Sequence, residues 1–199
     1  MKIGIMGGTF NPIHHGHLIL SEYIRTEAGL DKIVFIPTGL PPHKVGEEVL
    51  EGRIRLEMVQ LAIRNNPYFT WSDMEIRRKK TSYTIDTIGE LKRLYDKAQL
   101  YLIIGADNLL SIHTWKDYKR VLEEVNIIVA NRLGSKRLLV VEEIERLNNS
   151  LGVNIKNINS PIIEISSTEI RERVRQNKSI KYLVPELVED YILRNNLYK

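Results

Sequence analysis

The chain has 199 residues, of which 43% are hydrophobic and 27% charged, with a net charge of +4 and no cysteine. A chain of this mass folds to about 9,700 Å² of surface from about 33,000 Å² unfolded, enough burial for a full core; the near-average composition excludes disorder and collagen-like order, and the missing cysteine excludes a disulfide scaffold, thiol catalysis, Cys-ligated zinc and iron–sulfur clusters. No apolar run approaches the ~20 residues of a membrane span, and Met1 to Met6 breaks at Gly7-Gly8 before a signal-peptide core can form, so a cytoplasmic setting away from membranes is expected.

Along the chain, short β-like apolar runs alternate with 3.6-period patterns. Ile3 to Met6 reads as a buried strand, and Leu18, Ile19, Tyr23 and Ile24 as the stripe of a first helix. Ile33 to Ile36 is a second strand, stopped by Pro37. The Gly- and Pro-rich segment from Gly39 to Gly46 reads as a mobile loop. Ile54, Met58, Leu61 and Ala62 mark an amphipathic helix. Tyr68 to Ile76 reads as extended, and Ile85, Ile88, Leu91 and Tyr95 as a further helix. Leu100 to Ile104, Val125 to Val129 and Ile162 to Ile165 are further strands, and Pro185 to Asn195 is a closing helix with Pro185 in its first turn. Ser135 to Asn159 carries no recognisable motif. Strand–helix alternation predicts an α/β fold, a Rossmann-like open, mainly parallel sheet with helices on both faces. One domain is expected over residues 1–199, with a helical part from about 166 packing on the sheet. Ligands of such sheets bind at the carboxyl ends of the strands.

The first strand runs into Gly7-Gly8-Thr9-Phe10-Asn11-Pro12-Ile13-His14-His15-Gly16-His17. Glycines there let backbone approach a phosphate, and a helix start presents N–H groups to an anion. Neither G-x-G-x-x-G nor G-x-x-x-x-G-K-[ST] is present. Three of the five histidines fall in this turn, and the i, i+3 spacing of His14 and His17 places them on one face of a first helical turn. Two imidazoles so placed can hydrogen-bond phosphate oxygens, or ligate a metal, although the carboxylate of an H-E-x-x-H site is missing. Farther on, Ser166 and Glu169 have the S-x-x-E spacing of a capping box. Read alone, that segment is a plain helix cap or a second anion-binding helix start, with Ser167, Thr168 and Arg171 beside it.

Gly7 to His17 resembles the G-G-T-F-[DN]-P-x-H-x-G-H signature of the H-x-G-H nucleotidyltransferase superfamily, with Asn11 where Asp is frequent. Ile165 to Arg171 resembles its I-S-[SA]-T-x-[IV]-R element. Within that superfamily, Ile36 to Lys44 resembles the I-P-x-x-x-P-P-H-K stretch of the nicotinate-mononucleotide adenylyltransferase family, and Thr81 to Thr87 its S-Y-T-x-D-T element. Gly105-Ala106-Asp107 is similar to its G-x-D turn, and Val129 to Arg132 to its strand ending in a basic residue. The resemblance covers Met1 to about Arg175. It implies transfer of AMP from ATP to nicotinate mononucleotide, with pantetheine phosphate or nicotinamide mononucleotide as alternative acceptors. A non-catalytic nucleotide- or RNA-binding regulator is the other alternative. It runs against the His14/His17 pair and the lack of aromatics interleaved in a basic patch, since the best basic run is Arg77 to Lys80.

The resemblance also implies roles. His14 and His17 are the catalytic pair. Gly7, Gly8, Thr9, Phe10, Gly105, Asp107, Arg132, Ser166, Ser167, Thr168 and Arg171 would bind ATP. Lys44, Ser82, Tyr83, Thr84, Asp107, Trp115 and Lys116 would bind the acceptor, with Trp115 stacked on the pyridine ring. Mg²⁺ would ride on the ATP phosphates with no protein side chain as ligand. Nucleic acid is not an expected partner, and self-association is left open by the sequence.

Overall fold

The computed structural model describes residues 1–39, 49–78, 81–132 and 137–199, with the backbone alone at 131 and 132. Among them are six strands: β1 (Lys2–Gly8), β2 (Lys32–Pro37), β3 (Phe69–Trp71), β4 (Gln99–Gly105), β5 (Asn126–Arg132) and β6 (Ile155–Ser160). They form one sheet in the order β3-β2-β1-β4-β5-β6, and every pairing is parallel. In the register, Ile5 of β1 lies opposite Val34 of β2 and Leu102 of β4. The expected Rossmann-like sheet is therefore present, and β1 and β4 meet where the strand order reverses.

Alternation along each strand divides the core between the two faces. Ile3, Ile5, Val34, Ile36, Leu102, Ile104 and Val129 lie on one face. They pack against α4 (Thr84–Leu94), α5 (Ala106–Leu110), α6 (Tyr118–Glu124) and α7 (Arg137–Leu151) through Ile85, Ile88, Leu109, Val121, Val140, Ile144 and Leu147. Ile33, Phe35, Ile103 and Ile128 lie on the other face. They pack against α1 (His15–Glu27), α2 (Gly52–Ile63), α8 (Ser167–Arg175) and α9 (Glu186–Arg194), with Ile24, Met58, Val59, Ile170, Val174, Val188 and Ile192 buried. Helices thus cover both faces, as strands this apolar require. A short helix, α3 (Met74–Arg77), follows β3.

Several expectations are corrected. The extended reading of Tyr68 to Ile76 holds only for Phe69–Trp71, after which Met74–Arg77 is helical. Ile162 to Ile165 is not a strand. The sixth strand is Ile155–Ser160, ended by Pro161, and the later isoleucines lead into α8, with Ile162 exposed and Ile165 packed on the second core. In α1 the buried line runs through Ser21 and Ile24, leaving Ile19 exposed. Pro185 is the N-cap of α9, with ψ at 146°, one residue ahead of the first turn. Among the described residues no helix is long and apolar enough to cross a membrane.

Candidate active site

The Gly7-Gly8 end of β1 turns through Phe10, whose φ is +49°, and a cis Asn11–Pro12 bond into α1. His14 is the N-cap of α1, with extended backbone, and is buried. His17, at the third helical position, stacks its ring 3.7 Å from that of His14, centroid to centroid, at 32°. Phe10 meets the other side of His17 edge-on at 5.1 Å. The His14 N–H donates to His17 Nδ1 at 3.3 Å, which makes Nε2 the donor nitrogen of a neutral His17 ring. The i, i+3 expectation for the pair is met. Phe10, expected on the ATP side, is 2% exposed and belongs to the core, so its side chain is not open to a ligand.

A cleft of about 520 Å³ opens at the carboxyl ends of β1, β2 and β4. Gly7, Gly8 and Thr9 line one side, and Ser82, Tyr83, Thr84, Trp115 and Lys116 line the other. Tyr83 is the N-cap of α4 and Thr84 its first residue, so the first N–H groups of that helix have no partner within it. Trp115 follows a 3₁₀ turn, Ile112–Thr114, and is half-buried against the first core. Lys116 Nζ lies 4.4 Å from the centre of the Tyr83 ring, bridging the two segments. Five of the expected acceptor residues are thus brought together. Asp107 stands exposed on the first turn of α5, outside the cleft lining, and its neighbour Asn108 lines the cleft instead. Gly105 is the N-cap of α5. Arg132 closes β5. Lys44 and the predicted mobile loop from Leu40 onward lie outside the described residues.

The C-terminal part braces the histidine turn. Ser166 caps α8 by accepting the Glu169 N–H at 3.1 Å. Ser167 Oγ donates to the Pro12 carbonyl at 2.8 Å, and Arg171 Nη1 to the Asn11 carbonyl at 3.0 Å. Thr168 Oγ1 accepts from Arg171 Nη2 at 3.4 Å. These groups face the turn, but in this structure the donors of Ser167 and Arg171 are engaged by its carbonyls. Tyr198 also reaches the turn, donating to Asn11 Oδ1 at 3.0 Å, and its burial pushes the phenol pKa well above its ordinary value.

Four site residues escape the sequence reading. Arg55, 1% exposed, donates to the carbonyls of Leu50, Thr9 and Thr38 at 2.8, 2.6 and 2.7 Å. Burial lowers its pKa, partly offset by Tyr198 and Glu75. Glu75, also buried, accepts from Thr87 Oγ1 at 2.7 Å and lines the cleft. Burial raises its carboxyl pKa, against the pull of Thr87, Arg78 and the Gly39 N–H. Thr38 Oγ1 is buried and completes no hydrogen bond among the described residues, while Ser82 Oγ, also buried, acts on the Glu75 carboxyl; both residues line the cleft. Asn108 is the fourth. One signal was available for Arg55: it is in phase with Val59 and Ile63 on the buried face of α2. Arg78, in the basic run, is tied to Thr87 and Glu90 at 3.2 and 2.6 Å rather than solvated. No cluster of three or more His, Asp or Glu able to hold a metal occurs among the described residues.

The Cytidylyltransferase-like family matches residues 5–173. A protein of Thermoanaerobacter sp. (strain X514) named "Probable nicotinate-nucleotide adenylyltransferase" is 46% identical over 200 residues, spanning 100% of this chain and 95% of that protein. One of the same name from Desulfitobacterium hafniense (strain Y51) is 46% identical over 198 residues, spanning 100% and 96%. Among solved structures, Plasmodium falciparum nicotinic acid mononucleotide adenylyltransferase complexed with NaAD superposes with a TM-score of 0.80 at 23% identity, over 99% of this chain and 97% of that one. At that identity the match speaks to the fold.

Proposed function

The chain belongs to the nicotinate-nucleotide adenylyltransferase family within the cytidylyltransferase-like proteins, and from that premise we propose that it transfers AMP from ATP to nicotinate mononucleotide, giving deamido-NAD and pyrophosphate in NAD biosynthesis. It is a nucleotidyltransferase. The observation that carries the reading is the cleft itself. The Gly7–Thr9 turn, which leads into the stacked histidines, lines one side, and the start of α4 with Trp115 lines the other.

The acceptor's phosphate oxygen attacks the α-phosphorus of ATP in line. The new P–O bond forms as the bond to the β-phosphate bridging oxygen breaks, and pyrophosphate leaves with the electron pair. The attacking phosphate is already ionised near neutral pH, so neither an enzyme nucleophile nor a general base is needed. Catalysis is positioning and charge stabilisation. His14 and His17 donate to the oxygens that gain charge, assisted by the Gly7–Thr9 amides, Lys44, Arg132 and the α8 start with Arg171. Gly105 and Asp107 serve the ATP side at the end of β4, with the Asp107 carboxylate accepting from ribose hydroxyls. Mg²⁺ would enter on the triphosphate oxygens, neutralising part of their charge, because it favours phosphate and water over a full protein cage.

On the acceptor side, Trp115 offers an indole face to the pyridine ring. The Thr84 and Lys116 N–H groups pair with the carboxylate, and Ser82 and Tyr83 close the pocket. Nicotinamide would present an NH₂ to donors there. An unpaired buried donor costs about 1–3 kcal/mol, so two of them give a preference for the acid on the order of 10²-fold or greater. The working unit is residues 1–199 as one domain, in a cytoplasmic setting where ATP is available. An acceptor panel tests the reading: pyrophosphate release from ATP is expected with nicotinate mononucleotide, and release driven best by pantetheine phosphate would overturn it.

A further inference from the structure

Two buried, oppositely charged side chains, Arg55 behind the cleft and Glu75 in its lining, have no place in the transfer just described. Arg55 spans the seam between its two sides. Its Nη1 holds the carbonyl of Thr9, on the phosphate-facing turn. Its Nη2 holds the carbonyls of Thr38 and Gly39 at 2.7 and 3.3 Å, just beyond the end of β2. The Thr38 N–H in turn donates to the Gly8 carbonyl at 2.9 Å. Glu75 continues the chain of contacts. The Gly39 N–H acts on its carboxylate, and Thr87 of α4 donates to it. Gly39 is held so closely that a Cβ there would strike the Glu75 backbone carbonyl and approach Ser82 Oγ to 3.0 Å. A continuous path therefore runs from Thr9 through Arg55, Gly39 and Glu75 to Thr87, one turn into the helix whose start faces the acceptor.

Resting on the proposed reaction, we infer that Arg55 and Glu75 are positioning residues that fix the phosphate-facing turn against the acceptor-facing helix, so that the attacking phosphate meets the α-phosphorus in line. Neither group needs to touch a substrate for this. An arginine is suited to the first place because its planar fork serves several carbonyls at once, whereas a lysine is a point charge. A carboxylate is suited to the second because its contacts from Gly39 and Thr87 all require an acceptor. In-line transfer between two bound substrates is sensitive to misalignment of about 1 Å, which can cost ~10²-fold in rate.

The test uses the full chain with Arg55→Lys and Glu75→Gln, and with Glu57→Gln as control, since Glu57 only accepts an exposed hydrogen bond from Tyr191. For each variant, kcat, KM for both substrates, ATP affinity and thermal unfolding are measured. Arg55→Lys is expected to lower kcat by about 10²-fold, with ATP affinity within about threefold. The near-isosteric Glu75→Gln is expected to raise the acceptor KM and lower kcat by about tenfold each, leaving ATP affinity alone. If Arg55→Lys does not fold, Glu75→Gln decides. Lowered thermal stability with kcat and acceptor KM unchanged in Glu75→Gln would overturn the inference. Failure of the unaltered protein to use nicotinate mononucleotide would instead overturn the proposed reaction.

Discussion

Replacing His17 removes two things that the structure allows to be separated. In the proposed reaction the ring is one of the donors to the transferring phosphate, and loss of one such donor costs roughly 10²–10³-fold in turnover. The same ring accepts the His14 N–H at 3.3 Å and fills the space between His14 and Phe10. Leaving that N–H unpaired costs about 1–3 kcal/mol, which in a chain of this length lowers Tm by roughly 2–12 °C. His17→Ala is therefore expected to lose both turnover and stability. His17 occupies the third position of α1, where a glutamine side chain can reach back to the N-cap N–H. His17→Gln is accordingly expected to recover most of the lost Tm and none of the turnover. His15→Ala, at the neighbouring position whose side chain has no assigned role, should retain turnover. The assays are steady-state pyrophosphate release and thermal unfolding on the three variants. Recovery of turnover in His17→Gln alongside stability, or an equal loss in His15→Ala, would refute a chemical role for the imidazole.

Trp115→Ala should raise the acceptor KM by about 5- to 150-fold, from ~1–3 kcal/mol of stacking, with the KM for ATP unchanged; an effect on ATP alone would misplace the pyridine pocket. Gly4→Ala should lower Tm by about 2–12 °C through overpacking, because its Cβ would lie 2.5 Å from Ile33 Cδ1 and 2.9 Å from Leu30 Cδ1; an unchanged Tm by calorimetry would contradict the packing. The Tyr191 phenol, partly desolvated and donating to Glu57, has its pKa pushed up from 10.0 to about 12. A raised pKa means the folded state keeps the proton longer, so this stabilisation is present below pH 10 and lost as pH rises to about 12. Tyr191→Phe should flatten the fall in stability over that range in denaturant titrations, and parallel curves for the two proteins would count against it.

The inner strands were legible because burial on both faces makes them nearly continuous apolar runs. The edge strand β6, Ile-Lys-Asn-Ile-Asn-Ser, has one neighbour and an exposed side, so its pattern falls below that signal, and the more apolar Ile162 to Ile165 stood in for it. Helix α7 carries a signal of its own in a segment without a motif, since Val140, Ile144 and Leu147 keep a buried helical stripe. In the site, the contiguous segments could be read, since turn chemistry and helix starts are local. Trp115 and Ser82 to Thr84 share one cleft because the start of α4 and the turn at Ile112–Thr114 pack on the same core, which local spacing does not encode. Arg55 and Glu75 were hidden for another reason. Charged residues in helices are by default solvent-facing; beyond the helical phase of Arg55, it is their partners, the carbonyls of Thr9 and Thr38 and the hydroxyl of Thr87, that reveal them as interior.

The transfer and its acceptor are tested together by a direct competition. The purified protein is given ATP, Mg²⁺ and equal amounts of nicotinate mononucleotide and nicotinamide mononucleotide, and the dinucleotide products are separated and weighed by mass spectrometry. Deamido-NAD is expected in excess over NAD on the order of 10²-fold or greater, the consequence of the two donors proposed to face the carboxylate. Equal yields, an excess of NAD, or the absence of any dinucleotide while ATP remains intact would contradict the assignment.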